Sequence, residues 1–314
     1  MKIVMLERKN VGTDFPMPDF EKFGELTVYD YSTPDVVAAR VKDADIVIMN
    51  KMPMNEETLR DAANLKLICV TATGMDIIDM DYCKKRGIAV RNVSGYSTEN
   101  VVQHTFALLF YLFEKLSFYD GYVKGGDYIS CPTFTYFDHI FYELSGKVWG
   151  IVGLGTIGHR VAEVAKAFGC EVIYYSTSGI EREEPYERVS FDELLKRSDV
   201  VSVHAPLNDR TRGIFDKEAF AKMKPSAFFI NVGRGPIVAE KDLADALTAG
   251  EIAGAGLDVL SKEPMLKENP LFPLKDSEKL IISPHIAWAS KEARVRLMEG
   301  VYRNVEEFVN ELMG

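Results

Sequence analysis

Three residues that lie far apart in the 314-residue chain could carry out proton and anion chemistry together. Arg234 sits in Gly233-Arg234-Gly235, Glu263 in Lys262-Glu263-Pro264, and His285 in Pro284-His285-Ile286. An imidazole titrates near neutral pH and so serves as a proton donor or acceptor. A carboxylate beside it orients the ring and favours its charged form. A guanidinium binds a substrate carboxylate, ideally through two N–H groups, and polarises a neighbouring carbonyl. Such a set suits the addition of a hydride and a proton to a keto acid. Each residue alone also has an ordinary explanation, as a solvated loop Arg, a loop Glu before Pro, or a His bonded to a turn. Position is what sets them apart. Each follows an apolar run that reads as a strand, at residues 227–231, 253–258 and 280–283. Open parallel sheets bind ligands beyond the carboxyl ends of their strands.

A second feature points the same way. Gly153-Leu154-Gly155-Thr156-Ile157-Gly158 fits the spacing G-x-G-x-x-G. The pattern alone is weak. Here it follows an apolar strand at 148–152, opens a helix-compatible run, and precedes another strand at 172–175, which is the dinucleotide-binding context. Gly153 makes the tight turn, Gly155 lets the backbone approach a pyrophosphate, and Gly158 permits close helix–strand packing. The helix N-terminus favours the phosphate charge. One residue departs from the rule. An acid at the end of the second strand usually holds the ribose hydroxyls, but Ser176 stands there, in Tyr175-Ser176-Thr177-Ser178-Gly179. No carboxylate at that position repels a 2′-phosphate, and no Arg or Lys follows until Arg182. NAD(H) is therefore expected as the working cofactor, with NADP(H) also possible.

The elements that must position these residues alternate along the chain. Strand-like runs at 3–6, 46–49, 67–71 and 88–93 are separated by helical ones. Thr33-Pro34 reads as a cap followed by Pro at the first helical position. Residues from Ser97 or Thr98 to about Tyr119 contain no Pro or Gly and read as one long helix linking two domains. A glycine-rich loop follows, carrying Phe134, Tyr136, Phe137, Phe141 and Tyr142. These aromatics either seal an interface, the favoured option, or pack on their own domain. From Lys147 a second α/β run begins. At the end, Leu297, Val301, Val305, Phe308 and Leu312 recur in steps of three and four, as in an amphipathic helix that docks on a core. The expected architecture is α/β, with two Rossmann-like or flavodoxin-like parallel-sheet domains separated by a cleft. Residues 1–97 with 289–314 form a substrate-binding domain, and residues 98–288 form the dinucleotide-binding domain.

Bulk properties exclude other classes. The length suits about two domains. A formal net charge of -10 argues against a nucleic-acid partner, which requires Lys and Arg against phosphates. The longest apolar stretch, 101–113, contains Gln103 and His104 and falls short of the ~20 residues of a membrane span. The N-terminal apolar run is too short for a signal peptide. Cys69, Cys83, Cys131 and Cys170 form no C-x-x-C pair, which fits reduced thiols and a cytoplasmic location. No His/Cys/Asp cluster has metal-ligand spacing, so no metal is expected. No serine elbow is present. Of the remaining histidines, His104 reads as a packed or interface residue, His139 lies in the aromatic loop, His159 as exposed at a helix start, and His204 as part of a cofactor wall.

Over nearly its whole length the chain resembles the D-isomer-specific 2-hydroxyacid dehydrogenases. The resemblance is carried by Val152 to Gly158, His204-Ala205-Pro206-Leu207 with Thr211-Arg212-Gly213, Phe229 to Gly235, Gly256-Leu257-Asp258-Val259 and Ser283-Pro284-His285. It implies Arg234 as substrate-binding, Glu263 as the partner that tunes the histidine, and His285 as acid/base. It also implies an interdomain cleft, hinge closure and a homodimer. A turn matching Ala72-Thr73-Gly74-Met75 offers backbone N–H groups to the substrate carboxylate in that family. Thr98, Thr156, Ile157, Ser176, Val232, Asp258 and His285 fall at family cofactor-contact positions, with Asp258 near the nicotinamide carboxamide. Thr177, His204, Ala205, Pro206, Thr211 and Gly233 belong with them on the same motifs.

Gly95-Tyr96-Ser97-Thr98 and the segment 175–179 look most like bacterial glycerate dehydrogenases, also called hydroxypyruvate reductases. The resemblance therefore implies reduction of a small 2-keto acid, hydroxypyruvate or glyoxylate, to the D-2-hydroxy acid. No added regulatory domain, as in many phosphoglycerate dehydrogenases, is expected after the last helix. Formate dehydrogenases of the family carry glutamine where this chain has Glu263. Two alternatives stay open: an NADH-sensing protein of corepressor type without turnover, and a D-lactate or phosphoglycerate type of dehydrogenase.

Overall fold

Short apolar runs build two parallel sheets. The computed structural model describes residues 1–180 and 183–314, so Arg182 lies outside the described residues. The chain divides into two compact units, Met1–Ser97 with Trp288–Gly314, and Thr98–Ala287.

The first unit holds β1 (Lys2–Met5), β2 (Glu25–Val28), β3 (Ile46–Met49), β4 (Leu67–Val70) and β5 (Ala89–Arg91), in the order β2-β1-β3-β4-β5. All pairs are parallel. β3 and β4 are buried along their whole length, as strands covered on both faces should be. The order reverses at β1, next to β3, which is the flavodoxin-like switch point. Helix Lys291–Met313 lays Leu297, Val301, Val305 and Phe308 into the same core as Ile3, Met5 and Ile46. Leu312 stays exposed at the frayed end of that stripe.

The second unit holds β6 (Val148–Val152), β7 (Glu171–Tyr175), β8 (Glu187–Arg188), β9 (Val200–Val203), β10 (Phe228–Asn231), β11 (Gly254–Leu257) and β12 (Leu280–Ile282). Their order is β12-β11-β10-β9-β6-β7-β8, all parallel. This is the doubly wound order that reverses between β6 and β9. Two separate cores cover its two faces. One is built around Phe215, Phe220 and Phe229, the other around Trp149, Phe106 and Leu109.

Two local expectations are corrected. Thr33 precedes helix Pro34–Val41 in extended conformation, but its side chain makes no capping hydrogen bond; the fixed φ of Pro34 sets the start instead. The long helix ends at Phe113, and a second helix runs Leu116–Lys124. Lys115 breaks them with φ 55. The buried stripe stops at Phe113, which meets Phe228 edge-on at 5.4 Å. Beyond it no residue of Leu116–Lys124 is buried. Its rings pack instead on the following loop, with Phe118 stacked at 3.5 Å on His139 and Tyr122 at 4.2 Å on Tyr136. The loop aromatics therefore pack partly on their own unit. Phe134 and Phe137 remain 87% and 77% exposed. No helix among the described residues is long and apolar enough to cross a membrane.

Candidate active site

The glycine turn leaves β6 and enters helix Thr156–Ala167. Its three glycines meet three different surroundings. Gly153 has φ +94, and a Cβ there would lie 2.9 Å from Ala205 Cα. At Gly158 a Cβ would lie 2.3 Å from the Gly153 carbonyl oxygen. At Gly155 it would meet nothing within 4 Å. Two glycines are thus required by the protein's own packing, and Gly155 faces open space at a helix N-terminus. That is the geometry a bound pyrophosphate needs, so the residues present fit a dinucleotide.

Beside this turn lies a cavity of about 210 Å3. Gly153, Gly155, Ser176, Thr177, His204 and Pro206 line it, all of them expected cofactor contacts. Ser178 lines it too, and so do Ile180, Glu184 and Asn208, which sequence reasoning missed. Burial pushes the His204 imidazole down to about 3, so the ring is neutral. Its Nε2 lies 3.0 Å from Ser202 Oγ, which accepts the Trp149 indole N–H at 2.8 Å. Its Nδ1 is buried without a partner. Thr211 does not line the cavity. It is fully buried, and its hydroxyl donates to the Pro206 carbonyl, closing the 206–211 turn. Ala205 packs under Gly153. His159 is half-buried rather than exposed: its Nδ1 lies 3.0 Å from the Gly155 carbonyl and its Nε2 2.5 Å from Glu184.

The three candidate catalytic residues follow three neighbouring strands, β10, β11 and β12. His285 Nδ1 lies 2.7 Å from Glu263 Oε2. The other Glu263 oxygen accepts the Leu260 N–H at 3.0 Å, which fixes the carboxylate. His285 has φ 55, a left-handed conformation that costs energy for a residue with a side chain. Asp258 holds it there. The Asp258 carbonyl accepts the His285 N–H at 2.9 Å. Its carboxylate, 1% exposed, accepts the N–H groups of Ile286 and Ala287, each at 2.8 Å, and the Ser283 hydroxyl at 2.6 Å. Both carboxylate oxygens are thus engaged by the loop that carries the histidine. His104 completes the cluster, with Nε2 2.8 Å from Ser283 Oγ and 3.4 Å from Asp258.

Arg234 is brought toward this pair by backbone packing. Gly235 leaves no room for a side chain, since a Cβ would come 2.0 Å from the Leu260 carbonyl carbon. The Arg234 loop therefore lies directly on the segment that presents Glu263. Asn231 holds the loop, donating to the Arg234 carbonyl and accepting the Gly233 N–H, each at 3.0 Å. The guanidinium is half-buried, with Nη1 2.9 Å from the Gly233 carbonyl. Val232 follows β10 in the same loop, and Thr98 opens helix Thr98–Phe113. Asn231, Ser283 and His104 were not singled out for this role; Asn231 ends β10 and Ser283 directly follows β12, each close to a named residue, which is the signal that could have found them.

In the first unit, the turn after β4 has its carbonyls occupied. Thr71 O accepts from Asn50 Nδ2 at 2.7 Å, Ala72 O from the Val93 N–H at 3.2 Å, and Thr73 O from Asn92 Nδ2 at 2.6 Å. The N–H groups of Ala72, Thr73 and Gly74 make no hydrogen bond among the described residues. They are therefore open to an outside acceptor.

Known proteins resemble this chain in sequence and in fold along nearly its whole length. The family model for the D-isomer specific 2-hydroxyacid dehydrogenase NAD-binding domain matches residues 106–287. A hydroxypyruvate reductase from Blautia hydrogenotrophica is 40% identical, over 98% of this chain and 97% of that one. An acyclic imino acid reductase, solved with NADPH and D-Arg, matches with a TM-score of 0.88 and 30% identity, over 99% of this chain and 98% of that one. D-Lactate dehydrogenase from Aquifex aeolicus, solved with NAD and lactic acid, gives 0.86 and 30% identity, over 99% and 96%. With a family domain that spans more than half of its length and a relative 40% identical along nearly all of it, the chain belongs to the D-isomer-specific 2-hydroxyacid dehydrogenases, NAD(P)-dependent oxidoreductases that act on CH–OH donors.

Proposed function

We propose that this chain reduces a small 2-keto acid, hydroxypyruvate or glyoxylate being favoured, to the D-2-hydroxy acid, and that Arg234, Glu263 and His285 carry the step. The observation behind this reading is the His285–Glu263 pair at 2.7 Å, set beside the Arg234 loop. With Nδ1–H donated to the carboxylate, Nε2 is left to hand its proton to the keto oxygen. Glu263 balances the positive charge of the ring before transfer and keeps its orientation. Arg234 binds the substrate carboxylate and draws charge toward the carbonyl oxygen. The N–H groups of Ala72, Thr73 and Gly74 are proposed as a donor set for the substrate carboxylate. Bound NAD(P)H supplies the hydride. Thr156 and Ile157 sit at the helix N-terminus where backbone N–H groups suit the pyrophosphate, while Ser176, Thr177, His204 and Pro206 suit the adenosine end. Asp258 acts through the loop of His285, as a positioning residue.

The name of the Blautia relative and the polar, charged make-up of the site support a small keto acid. Steady-state rates with hydroxypyruvate, glyoxylate, pyruvate and phenylpyruvate, each with NADH and NADPH, test the proposal. Hydroxypyruvate or glyoxylate should give the highest kcat/KM. Tight NADH binding with no turnover of any of the four would contradict it and favour a sensor.

The proposed assembly is a homodimer. Ile129, Phe134 and Phe137, all within one short segment, expose 90%, 87% and 77% of their surface, and large apolar side chains left open to water are the kind that a protein interface covers. A cytoplasmic location is proposed on the three buried, unpaired thiols of Cys69, Cys83 and Cys170.

A further inference from the structure

We propose that Glu184 is the cofactor-selecting carboxylate of this enzyme, standing in for the acid that Ser176 lacks and favouring NADH over NADPH. The inference rests on the family's cofactor use and is independent of which keto acid is reduced.

Ser176 directly follows β7, where a ribose-binding acid is expected, and it lines the 210 Å3 cavity together with Thr177 and Ser178. Glu184 lines the same cavity, eight residues further along. Its side chain is only 11% exposed. Among the described residues that line this cavity it is the one carboxylate, and no Lys or Arg joins it. Among the described residues, two nearby guanidiniums turn to the backbone of the loop. Arg188 donates to the carbonyls of Gly179 and Ile180, and Arg210 to that of Ser178.

Glu184 is also fixed. One oxygen lies 2.5 Å from His159 Nε2, and His159 Nδ1 donates to the Gly155 carbonyl at 3.0 Å. The carboxylate is thus tied to the phosphate-binding turn itself. Held there, it accepts a hydrogen bond from a ribose hydroxyl and opposes a second phosphate by like charge and by two acceptors meeting. The hydroxyls of Ser176, Thr177 and Ser178 suit either cofactor, so discrimination falls to Glu184.

Fluorescence titration of the full chain with NADH and with NADPH, in the absence of keto acid, tests this. The protein should bind NADH about tenfold or more tightly than NADPH, the scale of one charge-assisted hydrogen bond. Glu184→Gln should shrink that ratio at least about fivefold, chiefly by improving NADPH binding. Competition by 5′-AMP and 2′,5′-ADP should follow the same ratio. His159→Gln keeps the carboxylate and only loosens its tie to the turn, so it should narrow the preference for NADH by less than Glu184→Gln does. A wild-type preference for NADPH would overturn the proposal. So would an unchanged ratio in Glu184→Gln, because a merely structural role weakens both cofactors alike. Equal loss of discrimination in both variants would assign selection to the loop's shape and overturn it too.

Discussion

His285 Nδ1 sits 2.7 Å from Glu263 Oε2, and the histidine is held in a left-handed backbone conformation by the neighbouring Asp258. In the proposed reduction, this pairing makes the charge of Glu263 part of the proton transfer. Glu263→Gln keeps the shape and a hydrogen-bonding group but removes the charge. The ring then loses the charge that balances it during transfer, so kcat for reduction should fall by about 10–10²-fold while NADH affinity changes little. Single-turnover rates and NADH titration of the variant read this directly. An unchanged rate would show that the charge of Glu263 plays no part.

The glycine turn makes a prediction that separates folding from binding. Gly155→Ala places its methyl in open space, so thermal stability should stay within about 0.5 kcal/mol. NADH affinity should fall at least about tenfold, because that space is where a phosphate belongs. Gly158→Ala drives a Cβ to 2.3 Å from the Gly153 carbonyl and should destabilise the fold by about 1–3 kcal/mol. Thermal melts and NADH titrations of both variants decide it. Equal stability loss in the two would contradict the assignment.

Asp258 is the buried anchor of the histidine loop. Asp258→Ala leaves the N–H groups of Ile286 and Ala287 and the Ser283 hydroxyl without their acceptor. The expected cost is about 2–3 kcal/mol in urea unfolding, with a drop in kcat larger than the change in NADH affinity. A variant as stable as the parent would show that the loop does not depend on this carboxylate.

Much of this site is legible in the sequence because the chemistry clusters at strand ends. The glycine spacing from Gly153 to Gly158 and the residues after β10, β11 and β12 follow from counting apolar runs. Glu184 is not legible, since the loop between β7 and β8 has no period to fix which of its acids turns inward. The tie between His104, Ser283 and Asp258 joins residues 179 and 25 positions apart in sequence, which no local pattern encodes. The helix break at Lys115 escapes notice for another reason. Nothing in 98–119 disfavours helix locally; the helix stops because its core-facing stripe runs out at Phe113.

His204 gives stability a pH dependence of definite sign. Its imidazole is pushed down to about 3 in the folded chain, against about 6.5 when unfolded. Between those values the unfolded state binds the extra proton. Stability is therefore whole above pH 6.5 and declines as pH falls toward 3. Replacing His204 by Asn should flatten that part of the curve, read from urea midpoints at pH 7 and pH 4.5. An identical slope in the variant would show that His204 does not contribute.

The proton in keto-acid reduction is proposed to come from His285. Single-turnover reduction by His285→Ala, followed as the loss of NADH absorbance, tests this alongside NADH affinity measured by fluorescence. The rate of the chemical step should drop by about 10²–10⁴-fold, the usual worth of a positioned general acid, while NADH affinity changes by less than about threefold. A rate close to that of the parent, or a matching collapse of cofactor binding, would contradict the account.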